Sequence, residues 1–136
     1  MSQRPHVYRR PAPDPAVRTS LSVLAAFVQP RSRVLDLGTG AGGLGAYLRE
    51  TKACTVDGLT LSAEEAEVAR PDYRRVVVGN LESEDWPTHF DGHGYDVIVC
   101  ADVLEHVREP AAVLAQCTHL LAPGGLLLAS VPNVAY

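Results

Sequence analysis

The pattern of apolar and polar residues changes its period along the chain. Short runs rich in apolar residues predict strands of a sheet that is covered on both faces. Five such runs occur, at Arg33–Leu37, Ala53–Thr60, Arg75–Val78, Tyr95–Cys100 and Leu126–Val131. Between them, apolar residues recur at helical spacing or follow a helix-start signal. The predicted helices run from Asp14 towards Pro30, from the glycines near Gly43 to about Glu50, from Ser62 onward, and over Pro110–Leu121.

Strands and helices alternate along the sequence, and this alternation determines the predicted fold. It predicts βαβ units with a parallel sheet, and right-handed crossovers favour a doubly wound, Rossmann-like α/β fold. We expect the strand order 3-2-1-4-5 in a single domain over residues 14–136, after a polar, proline-containing arm at residues 1–13. Residues 81–94 are the longest irregular stretch and hold one helical turn at most.

Composition and charge narrow the class of protein. With 46% hydrophobic and 21% charged residues in a chain of 136, there is enough apolar surface for one core, and the composition is not that of a disordered chain. A net charge of −4 argues against a protein surface that is basic overall and binds nucleic acid or an anionic membrane through its charge. Neither a signal peptide nor a run of ~18 apolar residues is visible, so we expect a cytoplasmic protein. Three widely spaced cysteines predict neither a zinc cage nor a disulfide framework.

A glycine-rich segment, Asp36-Leu-Gly-Thr-Gly-Ala-Gly-Gly43, lies between the first predicted strand and the helix that follows it. Glycine lets the backbone approach a ligand closely there, and the N–H groups at the helix start point towards that ligand. The spacing Gly38-x-Gly40-x-x-Gly43 satisfies the dinucleotide-binding fingerprint, which also requires an acid about 20 residues further on for the ribose. Asp57 is near that distance, but it falls inside the second predicted strand rather than at its end, which argues against this alternative.

Five segments at the ends of the predicted strands form a linked set: Val34–Gly42, Gly58–Ser62, Val78–Glu82, Tyr95–Val107 and Leu121–Asn133. In order and wording they resemble the motifs of class I S-adenosylmethionine-dependent methyltransferases, over about residues 30–136. The last two segments are similar to those of bacterial methyltransferase domains associated with glycosyltransferases and of ubiquinone-type O-methyltransferases. Members of the family usually carry seven strands. The resemblance therefore implies a Rossmann-like fold that is truncated and lacks the last two of these strands.

The resemblance also implies which residues hold the cofactor, S-adenosylmethionine. The expected set lies in the glycine turn and at the ends of the second, third and fourth strands: Asp36, Gly38, Thr39, Gly40, Gly42, Thr60, Leu61, Glu65, Asn80, Leu81 and Ala101.

Two of these positions depart from the family pattern. Thr60 stands where an acid usually grips the ribose. By similarity to cyclopropane fatty acid synthases, Glu65 takes over that contact; alternatively, Ser62-x-x-Glu65 is only a capping box at a helix start. Asn80 replaces the usual adenine-binding aspartate, and its carbonyl oxygen keeps the ability to accept from the adenine amino group.

The loop after the fourth strand carries the candidate catalytic residue. Methyl transfer requires an acceptor that is held close to the methyl group and that often loses a proton. His106 is the predicted general base, because imidazole titrates near neutral pH. Asp102, Glu105 and His106 share one face of a helical turn, so a divalent metal is an alternative, and a purely structural role is another. The favoured prediction has no metal.

These observations predict an S-adenosylmethionine-dependent methyltransferase that acts on a small-molecule or saccharide-type acceptor. One alternative is a cofactor-binding module without catalysis of its own, as part of a larger enzyme; another is a nicotinamide oxidoreductase. The fifth strand, Leu126–Val131, has no charge and forms an edge of the sheet, which makes it prone to pairing. We therefore expect a homodimer through this strand, and no nucleic-acid or membrane partner.

Overall fold

The computed structural model describes residues 20–131, which fold as helices around one parallel sheet. The helices are α1 (Ser20–Ala26), α2 (Gly43–Lys52), α3 (Ala63–Ala69) and α4 (Pro110–Thr118). The strands are β1 (Arg33–Leu37), β2 (Thr55–Thr60), β3 (Arg75–Val78), β4 (Tyr95–Ala101) and β5 (Leu121–Ser130). Short 3₁₀ helices cover Arg70–Asp72, Trp86–His89 and Leu104–His106. Over residues 20–131, every helix is too short or too polar to cross a membrane.

The sheet has the order β3-β2-β1-β4-β5, and each neighbouring pair of strands is parallel. The predicted doubly wound, Rossmann-like fold and its strand order are therefore confirmed. The chain moves outward from β1 to β2 and β3, and then returns to β4 on the other side of β1. This reversal creates the crevice in which open parallel sheets bind ligands, at the carboxyl ends of the strands.

β5 begins at Leu121, well before the predicted start at Leu126, and α4 accordingly ends at Thr118. The reason is a long-range pairing that the local pattern does not encode. Leu121 pairs with Tyr95, the register then shifts, and Leu126 pairs with Val97. The glycine-containing stretch between the two leucines thus forms the irregular start of a strand rather than a connecting turn.

α1 lies within the first predicted helix but ends at Ala26, earlier than the predicted end at Pro30. Its C-terminal side is held by Lys52, whose Nζ donates to the carbonyl oxygens of Ala25 and Val28 at 2.6 and 2.7 Å. Satisfying carbonyls at a helix end with a cation stabilises that end. The predicted start of this helix at Asp14 and the predicted arm at residues 1–13 lie outside the described residues.

Two apolar layers cover the sheet. On one face, α1, α2 and α3 pack against alternate strand residues, namely Val34, Val56, Val97 and Val99. On the other face, α4 and the segment around Trp86 pack against Leu35, Leu37, Ile98 and Cys100. Burial on both faces explains why the strands read as apolar runs rather than alternating ones. The packing fixes the carboxyl ends of β1, β2 and β4, from which the loops of the crevice extend.

Asp57 is a buried charge within this apolar sheet, only 1% exposed. Its carboxylate accepts hydrogen bonds from Arg74 Nε and Nη2 at 2.9 and 2.5 Å and from the Tyr95 hydroxyl at 2.5 Å. Burial and this bond to Asp57 raise the pKa of Tyr95. Arg74 also donates to Asp91 at 2.8 Å, and so does Arg33 at 2.7 Å. This group, the Asp57 network, joins β2 to the segments that precede β3 and β4.

Candidate functional site

A cavity of about 630 Å³ opens at the carboxyl edge of the sheet, beside the turn between β1 and α2. This volume is typical of sites for small molecules. All of the predicted cofactor residues except Gly42 line it, and so does the predicted base: Asp36, Gly38, Thr39, Gly40, Thr60, Leu61, Glu65, Asn80, Leu81, Ala101 and His106. These residues, which are far apart in the sequence, therefore line the same cavity.

The turn between β1 and α2 depends on left-handed backbone conformations. Gly38, Gly40 and Gly42 have φ angles of +84°, +53° and +93°, which residues with a side chain adopt at a cost. The N–H groups of Gly38 and Thr39 both donate to the carbonyl oxygen of Leu59, at 2.8 and 3.0 Å. The glycine turn is thus attached to the end of β2, where the next wall of the cavity begins.

The glycines of the turn serve different contacts. A Cβ atom at Gly38 would lie 2.5 Å from Val103 Cγ2, so this glycine lets the loop after β4 approach the turn. A Cβ atom at Gly42 would lie 2.8 Å from the Cβ atom of Ala69, in α3. Gly42 therefore provides close packing of α2 against α3, and the structure does not place it on the cavity wall as predicted. The position of a glycine in the motif does not tell whether it lines the cavity or allows two helices to pack closely.

Asp36 at the floor of the cavity is bound from behind by Tyr73. The Tyr73 hydroxyl donates to Asp36 Oδ2 at 2.7 Å and accepts from the Gly45 N–H at 3.1 Å. Both side chains are buried, at 2% and 7% exposure. Tyr73 is not among the residues predicted from the sequence, because nothing local marks a tyrosine before β3 as the partner of an aspartate in β1.

The start of α3 bears on the two alternatives for Glu65, which are a contact with the ribose and a capping box at the helix start. Ser62 caps the helix, because its Oγ accepts from the Glu65 N–H at 3.1 Å. The reciprocal bond of a capping box is absent within residues 20–131: the Ser62 N–H lies 3.4 Å from Thr60 Oγ1 instead, and Ser62 Oγ donates to Glu64. The Glu65 carboxylate lies by the glycine turn, with Oε2 at 3.4 Å from where a Cβ atom of Gly40 would be. This oxygen is therefore placed to meet a ligand.

The loop after β3 carries Asn80 and Leu81, which form a further part of the cavity wall. The Asn80 Oδ1 accepts from the Glu82 N–H at 2.8 Å, a local turn in which the amide group faces its own backbone. Glu82 in turn accepts from the Arg108 N–H at 2.7 Å, which joins this loop to the loop after β4. Glu82 also lines the cavity, and it was predicted only as the last residue of a motif segment.

The loop after β4 begins with a strained residue. Asp102 has a φ angle of +54°, and its N–H donates to both the carbonyl oxygen and the Oγ atom of Ser130 at 3.1 Å. Ser130 Oγ donates in turn to Asp102 Oδ1 at 2.9 Å. The end of β5 thus holds the backbone of this loop in a conformation that is uncommon for a residue with a side chain.

His106 lies at the open side of the cavity, with its side chain 77% exposed and its Nε2 atom 3.3 Å from Glu105 Oε1. Because Asp102 is directed to Ser130, the three candidate metal ligands do not form a ligand set. Within residues 20–131, no group of three or more His, Cys, Asp or Glu side chains is arranged to hold a metal ion.

Asp57, the acid of the dinucleotide alternative, does not line the cavity. Its carboxylate is engaged by Arg74 and Tyr95 in the interior of the protein. It therefore has no access to a ribose bound beside the glycine turn.

The chain is similar to known methyltransferases. Residues 8–136 match the model of a family described as a methyltransferase domain. The chain is 31% identical over 105 residues to the ubiquinone biosynthesis O-methyltransferase of Neisseria meningitidis, covering 74% of this chain and 44% of that protein. It is 39% identical over 111 residues to the protein of the same name from Xylella fastidiosa, covering 75% and 42%. The chain thus spans less than half the length of these curated relatives.

Solved structures show the same fold. A chain in the complex between the Haloferax volcanii Trm112 methyltransferase activator and a methyltransferase superposes with a TM-score of 0.70 at 27% identity, over 82% of this chain and 50% of that one. The O-methyltransferase region of StiE superposes with a TM-score of 0.66 at 26% identity, over 79% and 40%. Coclaurine N-methyltransferase, at 23% identity and a TM-score of 0.65 over 80% and 35%, shows the likeness of fold alone.

Proposed function

The chain belongs to the class I S-adenosylmethionine-dependent methyltransferase family, and from that premise we propose that it binds S-adenosylmethionine beside the glycine turn and methylates a small-molecule hydroxyl group. The observation that carries the proposal is the arrangement of the turn Asp36–Gly43. It follows β1, opens α2, and faces a cavity whose other walls are the loops after β2, β3 and β4. This is the position at which doubly wound sheets bind ligands.

The residues around the cavity fit this cofactor. Gly40 leaves the space beside the turn open, and Glu65 points a carboxylate oxygen into that space, where it would accept from the ribose hydroxyls. Asn80 and Leu81 would hold the adenine, with an amide and an apolar surface. Asp36 is almost fully buried at the cavity wall, and it would accept hydrogen bonds from the polar end of the molecule.

The charge of the cavity also suits this cofactor. When bound, S-adenosylmethionine supplies a methyl group on a positively charged sulfur. The lining contains four carboxylates, Asp36, Glu65, Glu82 and Asp102, and the described lining residues include no lysine or arginine. A cavity lined by one sign of charge attracts the opposite charge.

His106 is the proposed general base. Its position at the open side of the cavity allows it to meet an acceptor that enters from solvent. It would take the proton of the acceptor hydroxyl as the new oxygen–carbon bond forms and the bond between the methyl group and sulfur breaks, with S-adenosylhomocysteine as the leaving group. Glu105 at 3.3 Å would stabilise the imidazolium ion that results.

We propose an oxygen acceptor because the curated relatives are named as O-methyltransferases. The chain covers less than half of each of them, so the acceptor itself is a proposal from the chemistry of this site. A neutral hydroxyl compound, either phenolic or of the saccharide type, suits an acidic cavity better than a phosphorylated or carboxylated one.

Calorimetric titration of the 136-residue chain with S-adenosylhomocysteine and with NAD tests the cofactor. We expect binding of the first and no binding of the second; the reverse result would replace the proposal with the oxidoreductase alternative. Turnover is then measured with labelled S-adenosylmethionine on a panel of phenols, saccharides and amines. Binding without methylation of any acceptor would favour the alternative of a cofactor-binding module, and methylation of amines alone would contradict the oxygen acceptor.

We also propose that the chain pairs with a second copy along β5 and resides in the cytoplasm. Within residues 20–131, β5 pairs on one side only, with β4. Leu126 on this strand is 47% exposed, and Val131, the residue directly after it, is 62% exposed. An apolar edge strand with unpaired backbone groups is a template for pairing with another chain.

A further inference from the structure

Tyr73 lies between the 3₁₀ helix Arg70–Asp72 and β3, and its ring is enclosed by glycines. A Cβ atom at Gly45 would lie 2.1 Å from the ring Cζ atom and 2.4 Å from the hydroxyl oxygen. A Cβ atom at Gly58 would lie 3.0 Å from Cε2, and one at Gly42 would lie 3.1 Å from Cε1. Close packing of this kind leaves the ring one position, so the hydroxyl group is held at a fixed point behind the glycine turn.

The hydroxyl group is used as donor and acceptor at the same time. α2 begins after Gly42, which has no side chain to cap it, and the Gly45 N–H is among the first N–H groups that lack a partner inside the helix. The Tyr73 oxygen accepts this N–H, and its own proton is therefore directed to Asp36 Oδ2. Because linked hydrogen bonds polarise one another, the positive end of α2 strengthens the bond that holds Asp36.

We propose that Tyr73 is a positioning residue that sets the orientation of the Asp36 carboxylate for cofactor binding, an inference that rests on the proposed function. Asp36 is 2% exposed and lines the cavity, so a bound ligand meets its carboxylate only in the orientation that the surrounding contacts impose. Binding groups keep a productive geometry when a second, rigid group holds them. Gly45 is part of the same arrangement, since a side chain there would displace the ring, whereas a side chain at Gly58 would first meet Thr39 Cγ2, at 2.1 Å.

The test is a double-mutant cycle on the affinity for S-adenosylhomocysteine, measured by calorimetry at a temperature where circular dichroism shows each variant to be folded. Tyr73→Phe keeps the ring and removes the hydroxyl, and we expect the dissociation constant to rise about tenfold. Asp36→Asn should weaken binding at least as much. In the Asp36→Asn background, adding Tyr73→Phe should change the dissociation constant by less than about twofold, because the hydroxyl acts through the carboxylate.

Tyr47→Phe is the matched control. Tyr47 lies on α2, is partly buried, and does not line the cavity, so removing its hydroxyl should leave binding unchanged. If Tyr73→Phe lowers the melting temperature but binds like the wild type, Tyr73 only caps α2 and the inference is wrong. Unchanged binding by Asp36→Asn, or equal effects of Tyr73→Phe in both backgrounds, would also overturn it. Failure of the wild-type chain to bind would instead remove the proposed function, and this role with it.

Discussion

The backbone and the side chain of Glu65 make different contacts. Its N–H group satisfies the cap of α3 by donating to Ser62, so its carboxylate is not needed for the helix start. The carboxylate instead faces the glycine turn near Gly40. At the same helix start, Glu64 is exposed and contacts Ser62 Oγ through its side chain. Glu64 and Glu65 carry the same carboxylate group in different surroundings, so a substitution at Glu64 is a matched control for the same substitution at Glu65.

We predict that Glu65→Gln raises the dissociation constant for S-adenosylhomocysteine about tenfold and leaves the melting temperature within about a degree of the wild type, because the cap is kept. Glu64→Gln should affect neither binding nor the cap bond to the Glu65 N–H. Calorimetry and thermal melts of both variants check this. A loss of stability without a loss of affinity in Glu65→Gln would return Glu65 to a purely structural role.

His106→Ala is predicted to reduce the rate of methyl transfer about 100-fold, the usual size of a lost general base, while the affinity for S-adenosylhomocysteine stays near that of the wild type. His119→Ala is the control, since His119 is an exposed residue at the end of α4 and away from the cavity. Rates are compared on the best acceptor of the panel. A normal rate in His106→Ala would exclude it as the base, and activity that depends on an added divalent ion would support the metal alternative.

At the scale of elements, the Asp57 network determines how β2, β3 and β4 are held at their amino ends. Arg74 supplies two of the hydrogen bonds to the buried carboxylate of Asp57 and a third to Asp91. Removing one partner of a buried ion pair leaves a charge without compensation, at a cost of about 3–5 kcal/mol when both groups are buried. The Arg74 side chain is 40% exposed, so water replaces part of what is lost.

We therefore predict that Arg74→Gln lowers the free energy of unfolding by about 2 kcal/mol at pH 7. Arg49→Gln removes an ion pair with Asp72 in which the arginine is 52% exposed, and should cost less than about 1 kcal/mol. Urea denaturation measures both. An effect of Arg74→Gln no larger than that of the control would mean that the buried carboxylate finds other partners.

The same network predicts a dependence on pH. Hydrogen bonds from Arg74 and Arg33 hold the pKa of Asp91 below its ordinary value of 3.8. A carboxylate whose pKa is lower in the folded than in the unfolded state stabilises the fold above the unfolded pKa, and this contribution is lost as the pH falls through the folded pKa. The difference in melting temperature between the wild type and Arg74→Gln should thus be complete at pH 7 and narrow below pH 3.8. A difference that stays constant into this acid range would contradict the assignment.

At the scale of the whole molecule, the proposed homodimer depends on the outer edge of β5. Ala129 is exposed on this strand, and a lysine there would oppose pairing because charged side chains protect sheet edges. We predict that the wild-type chain is a dimer by light scattering and that Ala129→Lys is a monomer with an unchanged circular dichroism spectrum. Ala115→Lys, on the exposed side of α4, should remain dimeric. A monomeric wild-type chain at high protein concentration would refute the pairing.

The sequence by itself determined the order of the elements and the place of the site. Apolar periodicity and helix signals are local, so β1, β3 and the start of α4 were predicted at the residues where they occur. Strand order followed because crossovers between parallel strands are right-handed. The glycine turn and the strand ends then had to meet at one edge of the sheet. This is why the predicted residues from Asp36 to His106, with the exception of Gly42, surround one cavity although they are distant in sequence.

Only the tertiary structure decided which side chains bind one another. Asp36 is held by Tyr73, 37 positions away, and Asp57 by Arg74, 17 positions away. Gly42 packs against α3 rather than lining the cavity, and Leu121 begins β5 because its backbone pairs with β4. The physical reason is shared: such contacts depend on the distance between surfaces after packing, and neither propensity nor spacing within a segment encodes that distance.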